Sequence, residues 1–425
     1  MTKTKRKILF TVLKVLVAVV LIGWVVSKAS WNDYVHAVSG GKEKEYSLVD
    51  PRQLRSDPLP ARIDATEGML FWKKAVQVES AALVPLTDSA GRPVRGPDGR
   101  FVYERPGMAG ALKNLDWGLL AAAIGGLLAA LLIMAVRYWF LLRIQDVRIR
   151  LWESVRLTYL GAFFNYFMPG SVGGDLVKAY YVAKHTERKA AVWVTTFVDR
   201  LLGVTELVLL GGVMIVVALA QGASLQERSM KWSVFILLVA IAAIVLAMTF
   251  VLSSRFRRLF HLQKIYQRMS FAHHLAAAGD AARLYRQRIG AMVKAIGITV
   301  GAQVISIASV MLIGLSLHMA VPVVKYFIYI PMIWMLGAIP LTPGGVGWIE
   351  SLYGEFFAGP GVVFSTILVL ALLARFVQMA TALPGVIVYF AGPRLPKAEA
   401  MEAELEGDQA HGQGGNTDSS GSQSV

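Results

Sequence analysis

Two short segments hold the residues of this chain best suited to chemistry. Met168-Pro-Gly-Ser-Val-Gly-Gly-Asp175 and Thr342-Pro-Gly-Gly-Val-Gly-Trp-Ile-Glu350 both read Pro-Gly-x-Val-Gly followed by an acid. An arginine inside an apolar stretch follows each at nearly equal distance: Arg200 lies 31 residues past Pro169, and Arg375 lies 32 past Pro343. Glycines let the backbone turn tightly and leave N–H groups open. A helix that begins just beyond such a turn directs the positive end of its dipole at the turn. A phosphate or carboxylate suits that arrangement, although the same glycines would serve equally for close helix packing. The arginines favour a ligand. A charge buried in a membrane helix costs at least ~2.5–3.5 kcal/mol, so each must face a partner, water or a ligand. Asp175, Asp199, Glu206 and Glu350 are the acids available as partners. Glu206 sits two turns beyond Asp199 and on the same helix face.

The elements that must position these residues are helices in a membrane. The chain has 425 residues, 55% hydrophobic and 17% charged, too little charge to cover the outside of a soluble domain of this size. Six apolar runs can cross a ~30 Å hydrocarbon layer. They are Ile8–Ser27, Trp117–Met134, Ala191–Gln221, Ser233–Leu252, Ala291–Met319 and Val362–Phe390. In lipid the backbone must satisfy itself, so these runs are helices. The first run follows the basic stretch MTKTKRK but is too long for a signal peptide and has no small-residue cleavage site, so it reads as a retained anchor. The net charge of +15 sits largely in short loops beside apolar runs, which is a topology signal rather than a nucleic-acid footprint. The absence of cysteine excludes disulfides, thiolate metal sites and a cysteine nucleophile.

Loop charge sets the expected orientation. Lys3, Lys5, Arg6 and Lys7 place the N-terminus in the cytoplasm. Residues 28–115 then lie outside, as a small β-rich insertion with strand-like runs Val76–Pro85 and Phe101–Tyr103 and a helix near Gly68–Ala75. Arg137, Arg143, Arg148 and Arg150 end the next helix in the cytoplasm. The stretch Arg255–Arg288, with eight Lys/Arg and one acid, lies there too. Trp152–Lys189 must then start and finish inside, and Val323–Gly359 must start and finish outside. Both are broken at their Pro-Gly tips, so the expected form is two re-entrant helical hairpins, one from each face. The fold class expected is thus an all-α polytopic membrane protein, with six spanning helices and two re-entrant hairpins as an inverted repeat, plus the β-rich insertion. The boundaries follow: anchor 1–27, insertion 28–115, first repeat 116–253, basic linker 254–289, second repeat 290–393 and a polar, disordered cytoplasmic tail 394–425. Broken helices in inverted repeats are the layout of many secondary transporters.

At these residues the sequence resembles the flippase-like transmembrane domain of bacterial lysylphosphatidylglycerol synthases, the multiple peptide resistance factor family. The resemblance runs from about Trp117 to Phe390. Its carriers are Arg137-Tyr-Trp, Asn165 with Pro169-Gly170 and Gly173-Gly174-Asp175, Asp199-Arg200, Pro343-Gly344-Gly345 with Gly347 and Glu350, and Arg375. These residues form the candidate substrate-binding set. The resemblance implies translocation of an anionic or aminoacylated phospholipid, or of a polyprenyl-linked headgroup, across a cell inner membrane. It also implies membrane lipids as partners, with a separate lipid-modifying enzyme or glycosyltransferase as a further one. The soluble aminoacyltransferase domain of the family is not expected in this chain, so the reading is a transporter rather than an enzyme. No cofactor, metal or nucleic acid is expected. Two other classes stay open: a membrane-embedded transferase using a lipid-linked donor, and an ion-coupled transporter of a small anion.

Overall fold

The computed structural model describes residues 17, 19–23, 25, 30–39, 42–50, 53–54, 59–67, 74–86, 92–95, 100–167, 173–184, 186, 188–225, 227–252, 287–339, 341–359 and 362–391. Most of the anchor 1–27, most of the basic linker, the first tip 168–172 with its Pro169 and Gly170, and the tail from 394 lie outside them.

A short helix α1 (Met108–Lys113) leads into α2 (Trp117–Ile144), whose first turn is capped by Asp116. The Asp116 carboxylate accepts the N–H groups of Gly118 at 2.8 Å and Leu119 at 3.1 Å, two of the donors a helix start leaves unpaired. Then follow α3 (Leu151–Phe167), α4 (Gly173–Lys184), α5 (Lys189–Ala220), α6 (Arg228–Leu252), α7 (Ile289–Ser316), α8 (Val323–Gly337), α9 (Trp348–Phe357), α10 (Phe364–Ala382) and α11 (Pro384–Ala391). Among the described residues five helical stretches are long and apolar enough to cross a membrane: Trp117–Ile144, Ala191–Ala220, Arg228–Leu246, Ile289–Ser316 and Phe364–Phe390. Their outward faces stay apolar, with Leu238, Val293 and Phe376 all more than half exposed. That is an outside made for lipid rather than water.

The bundle has two distinguishable ends. At one, the backbone N–H of Asp116 donates to the Ser316 carbonyl at 3.0 Å, joining the start of α2 to the end of α7. At the other, Arg288 reaches the Ile144 carbonyl at 2.9 Å and lies 3.4 Å from Asp146. Arg188 meets the same Asp146 at 3.4 Å. The pair α3–α4 starts and finishes at the Asp146 end. The pair α8–α9 starts and finishes at the opposite end, where Lys325 meets Glu227 at 2.7 Å and Arg228 meets Glu355 at 2.9 Å. At 17, 12, 15 and 10 residues these four helices are about 25, 18, 22 and 15 Å long. The α3–α4 pair is packed backbone to backbone: a Cβ on Gly174 would collide with the Gly161 carbonyl oxygen and the Asn165 side chain.

The insertion is β-rich. Strands β1 (Tyr34–Ser39), β2 (Lys42–Leu48), β3 (Arg62–Glu67), β4 (Lys74–Glu79) and β5 (Leu83–Val84) form an antiparallel sheet of order β4-β3-β2-β1-β5. One face buries Val35, Ala37, Tyr46, Leu48, Ile63, Ala65 and Val78, alternating as a half-buried sheet requires. The expected strand over Val76–Pro85 is two strands split by a 3-10 turn at Ser80–Ala82, and Phe101 makes a single bridge to Arg95. The helix expected near Gly68–Ala75 lies outside the described residues over 68–73, and its last two positions, Lys74 and Ala75, belong to β4. Charged flanks at Lys73-Lys74 do not stop a strand whose inward residues, Val76 and Val78, alternate. The sheet docks on the bundle through the Ser30 N–H, which donates to Ser365 Oγ at 3.0 Å, and through Tyr34. Burial first of all, with Glu45 beside it, pushes the Tyr34 hydroxyl up to about 12, so it stays neutral beside Ser365.

Candidate functional site

The second tip is held by one arginine. Gly344, Gly345 and Gly347 have φ values of 62, 69 and 78°, a left-handed run that side-chain-bearing residues resist. Pro343 opens the turn and α9 begins at Trp348. That path aims the carbonyls of Gly344 and Gly345 at α10. Arg375 donates to the first through Nη1 at 2.9 Å and to the second through Nη2 at 3.0 Å. Its Nε lies 2.9 Å from Glu350 Oε1, and the other Glu350 oxygen accepts the Gly347 N–H at 2.8 Å. Glu350 is 5% exposed. Arg375 and Glu350 together splice turn, α9 and α10 into one unit. Ile22 of the N-terminal run is close enough to meet a Cβ on Gly347 at 3.2 Å.

The first site repeats the pairing with less enclosure. Gly173 and Gly174 open α4, and the Gly174 N–H donates to Asn165 Oδ1 at 3.0 Å, tying the start of α4 back to the end of α3. Asp175, in the first turn of α4, pairs with the Nε and Nη2 of Arg200 on α5. From acid to arginine is 25 residues in both sites (175 to 200, 350 to 375). The difference lies in exposure: the Arg200 side chain is 49% exposed, against 20% for Arg375.

Between α2, α4 and α5 lies a buried quartet of charges. Arg137 Nη2 meets Asp199 Oδ1 at 2.9 Å, and Lys178 Nζ approaches the other Asp199 oxygen at 3.5 Å. Arg137 Nη1 stands 3.9 Å from Glu206 Oε2. Lys178 also sits 3.7 Å above the centre of the Tyr138 ring, a cation–π contact. Asp199 and Glu206 do share a face, as their spacing implies, but that face is turned to Arg137 and not to Arg200. Lys178 is the member that reading the sequence missed. Its signal was there: it follows Asp175 by three residues, so it lies on the same face of α4.

One hydrogen bond joins the first helix pair to the helix of the second arginine. Tyr166, near the end of α3, donates its hydroxyl to Gln378 Oε1 at 3.4 Å, and its ring is in electrostatic reach of Arg375. The end of α3 therefore abuts the helix that carries the second arginine. Sequence reasoning gave no sign of Tyr166, because nothing in the local pattern points it across 212 residues.

Five long apolar helices around buried and half-buried charges define a multi-pass membrane-embedded protein. The profile of the lysylphosphatidylglycerol synthase TM region matches residues 107–385, and the chain belongs to that family. It is a membrane protein of lipid-related ancestry. No curated protein and no solved structure matches the chain.

Proposed function

We propose that this protein is a lipid carrier that moves an anionic or aminoacylated phospholipid, or a polyprenyl-linked headgroup, across a cell inner membrane. The observation that carries this reading is the repeated acid–arginine pair. Asp175–Arg200 and Glu350–Arg375 have the same spacing and tie helix pairs that start from opposite ends to the helices that follow them, and Tyr166 at the end of α3 reaches Gln378 one turn beyond Arg375. Arg200 stands 11 residues into α5 and Arg375 11 into α10, about 16 Å along each, which is the middle of a bilayer. On this reading α3–α4 and α8–α9 are re-entrant hairpins of an inverted repeat. A phosphate oxygen pair displaces Asp175 from Arg200, because the guanidinium fork fits either partner and the site is half open. Arg375 keeps the second tip shaped while the headgroup passes.

The direct test is reconstitution in phosphatidylethanolamine–phosphatidylglycerol vesicles that contain a trace of NBD-labelled phosphatidylglycerol. Dithionite added outside should bleach label beyond the outer leaflet only when protein is present. Bleaching no deeper than in empty vesicles, together with uptake of radiolabelled inorganic phosphate, overturns the lipid reading in favour of a small-anion transporter.

The orientation has its own test. Single cysteines replacing Asp50 and Ser224 should react with an impermeant maleimide on intact cells, whereas one replacing Arg148 should react only after permeabilisation. The chain has no cysteine of its own to interfere. The reverse labelling pattern would place the insertion in the cytoplasm and invert both hairpins.

A further inference from the structure

We infer that Glu206 is a proton-binding site, and that opening of the Asp175–Arg200 pair changes its hold on that proton. The inference deepens the carrier reading and rests on it for the purpose of the coupling. Glu206 is 3% exposed, and its Oε2 has no hydrogen-bond donor. Its nearest cation, Arg137 Nη1, is 3.9 Å away and makes no hydrogen bond, while Arg137 Nη2 is committed to Asp199 at 2.9 Å. A carboxylate buried without donors loses the solvation its charge requires, and the neutral acid does not. Intramembrane acids in this position belong to proton relays in many pumps and transporters.

The charged groups facing Glu206 are few. Arg137 comes from α2 and Asp199 from its own helix α5, while Lys178 of α4 reaches it only through Asp199. Among the described residues, α6, α7 and α8, which also pack on α5, place no charged side chain within ion-pair distance of it. Arg137 is therefore the switch. It serves Asp199 or Glu206, and Lys178 decides how far Asp199 needs it.

The link to the headgroup site runs along α4, where Lys178 follows Asp175 by three residues on one helix face. When a lipid phosphate takes Arg200, Asp175 loses its partner and competes for Lys178. Asp199 then draws Arg137 more fully, and Glu206 is left without its nearest cation and takes a proton from the water of the open face. Release of the lipid restores the Asp175–Arg200 pair, returns Arg137 to Glu206, and discharges the proton to the opposite face. One proton crosses per lipid.

Infrared titration of the purified full chain reads the site directly. The wild type should show a protonated-carboxyl C=O band that titrates with pH, is lost in Glu206→Gln and moves in frequency in Glu206→Asp. In Arg200→Gln the same band should persist to higher pH. A band that survives both Glu206 variants, or a midpoint that Arg200→Gln leaves in place, overturns the inference. Glu206→Asp keeps the assay decisive should Glu206→Gln fold poorly. In vesicles, a gradient of one pH unit should bias the NBD-phosphatidylglycerol distribution by up to about tenfold at one proton per lipid. Glu206→Gln should bring that ratio to unity. If the wild type moves no labelled lipid at all, the carrier reading fails while the infrared result still decides Glu206. A lipid ratio in the wild type that ignores the gradient overturns the coupling.

Discussion

Replacing Arg137 with Gln is expected to lower stability by roughly 3–5 kcal/mol at a pH where Glu206 is ionised, the cost of leaving a buried charge without its partner. Arg137 is 4% exposed and, among the described residues, alone lies within ion-pair distance of both acids of the quartet. Without it Asp199 retains Lys178 at 3.5 Å, and Glu206 retains nothing within ion-pair distance among the described residues. The double variant Arg137→Gln with Glu206→Gln removes one charge of each sign and leaves the Lys178–Asp199 pair balanced. It should recover most of the loss. Arg137→Lys should fall between, since an ammonium supplies charge but cannot divide two fixed donors between two acids. Thermal and denaturant unfolding in one detergent measure all three. A single variant that loses no more than the ~0.5 kcal/mol typical of exposed sites would mean that water reaches the quartet.

That quartet also marks the boundary between what the sequence reveals and what it conceals. Long apolar runs force helices wherever the chain meets lipid, so the spans from Trp117 to Phe390 could be placed from composition alone. The tips could be placed too, because Pro and Gly interrupt those runs and an acid and an arginine recur at matched distances. Pairing was harder. Asp199 precedes Arg200 directly, yet neighbours on a helix point about 100° apart, so the two residues serve different sites. The partners that matter lie across the fold: Arg137 is 62 residues before Asp199, and Asp175 is 25 before Arg200. The sheet was half legible for a different reason. Strand β2, KEKEYSL, opens with four consecutive charged residues of low strand preference, and only Tyr46 and Leu48 betray its buried face. Its place beside β1 comes from pairing, which local propensity does not encode.

Arg200 and Arg375 occupy matching positions and are expected to fail differently when replaced. Arg200 is half exposed where it pairs with Asp175, so Arg200→Gln should cost no more than ~1 kcal/mol of stability. It should nevertheless slow NBD-phosphatidylglycerol movement by roughly ten- to a hundredfold, the worth of one charge-assisted contact of ~1.5–3 kcal/mol. Lysine should restore only part of the rate, having charge without the planar two-donor fork. Arg375 donates to two carbonyls and is ion-paired at 2.9 Å with an acid that is 5% exposed. Arg375→Gln should therefore cost roughly 3–5 kcal/mol and release the second tip. Adding Glu350→Gln should return only part of that, because the carbonyls of Gly344 and Gly345 remain without their donor. Unfolding and vesicle bleaching on the same preparations separate the two cases. The decisive variant is Asp175→Asn with Arg200→Gln. If Arg200 serves only to neutralise Asp175, this pair should translocate lipid as the wild type does, and headgroup binding at Arg200 is refuted. If Arg200 holds the phosphate, the pair stays as slow as Arg200→Gln alone, since the group that replaced Asp175 in the productive state has lost the fork it came to meet.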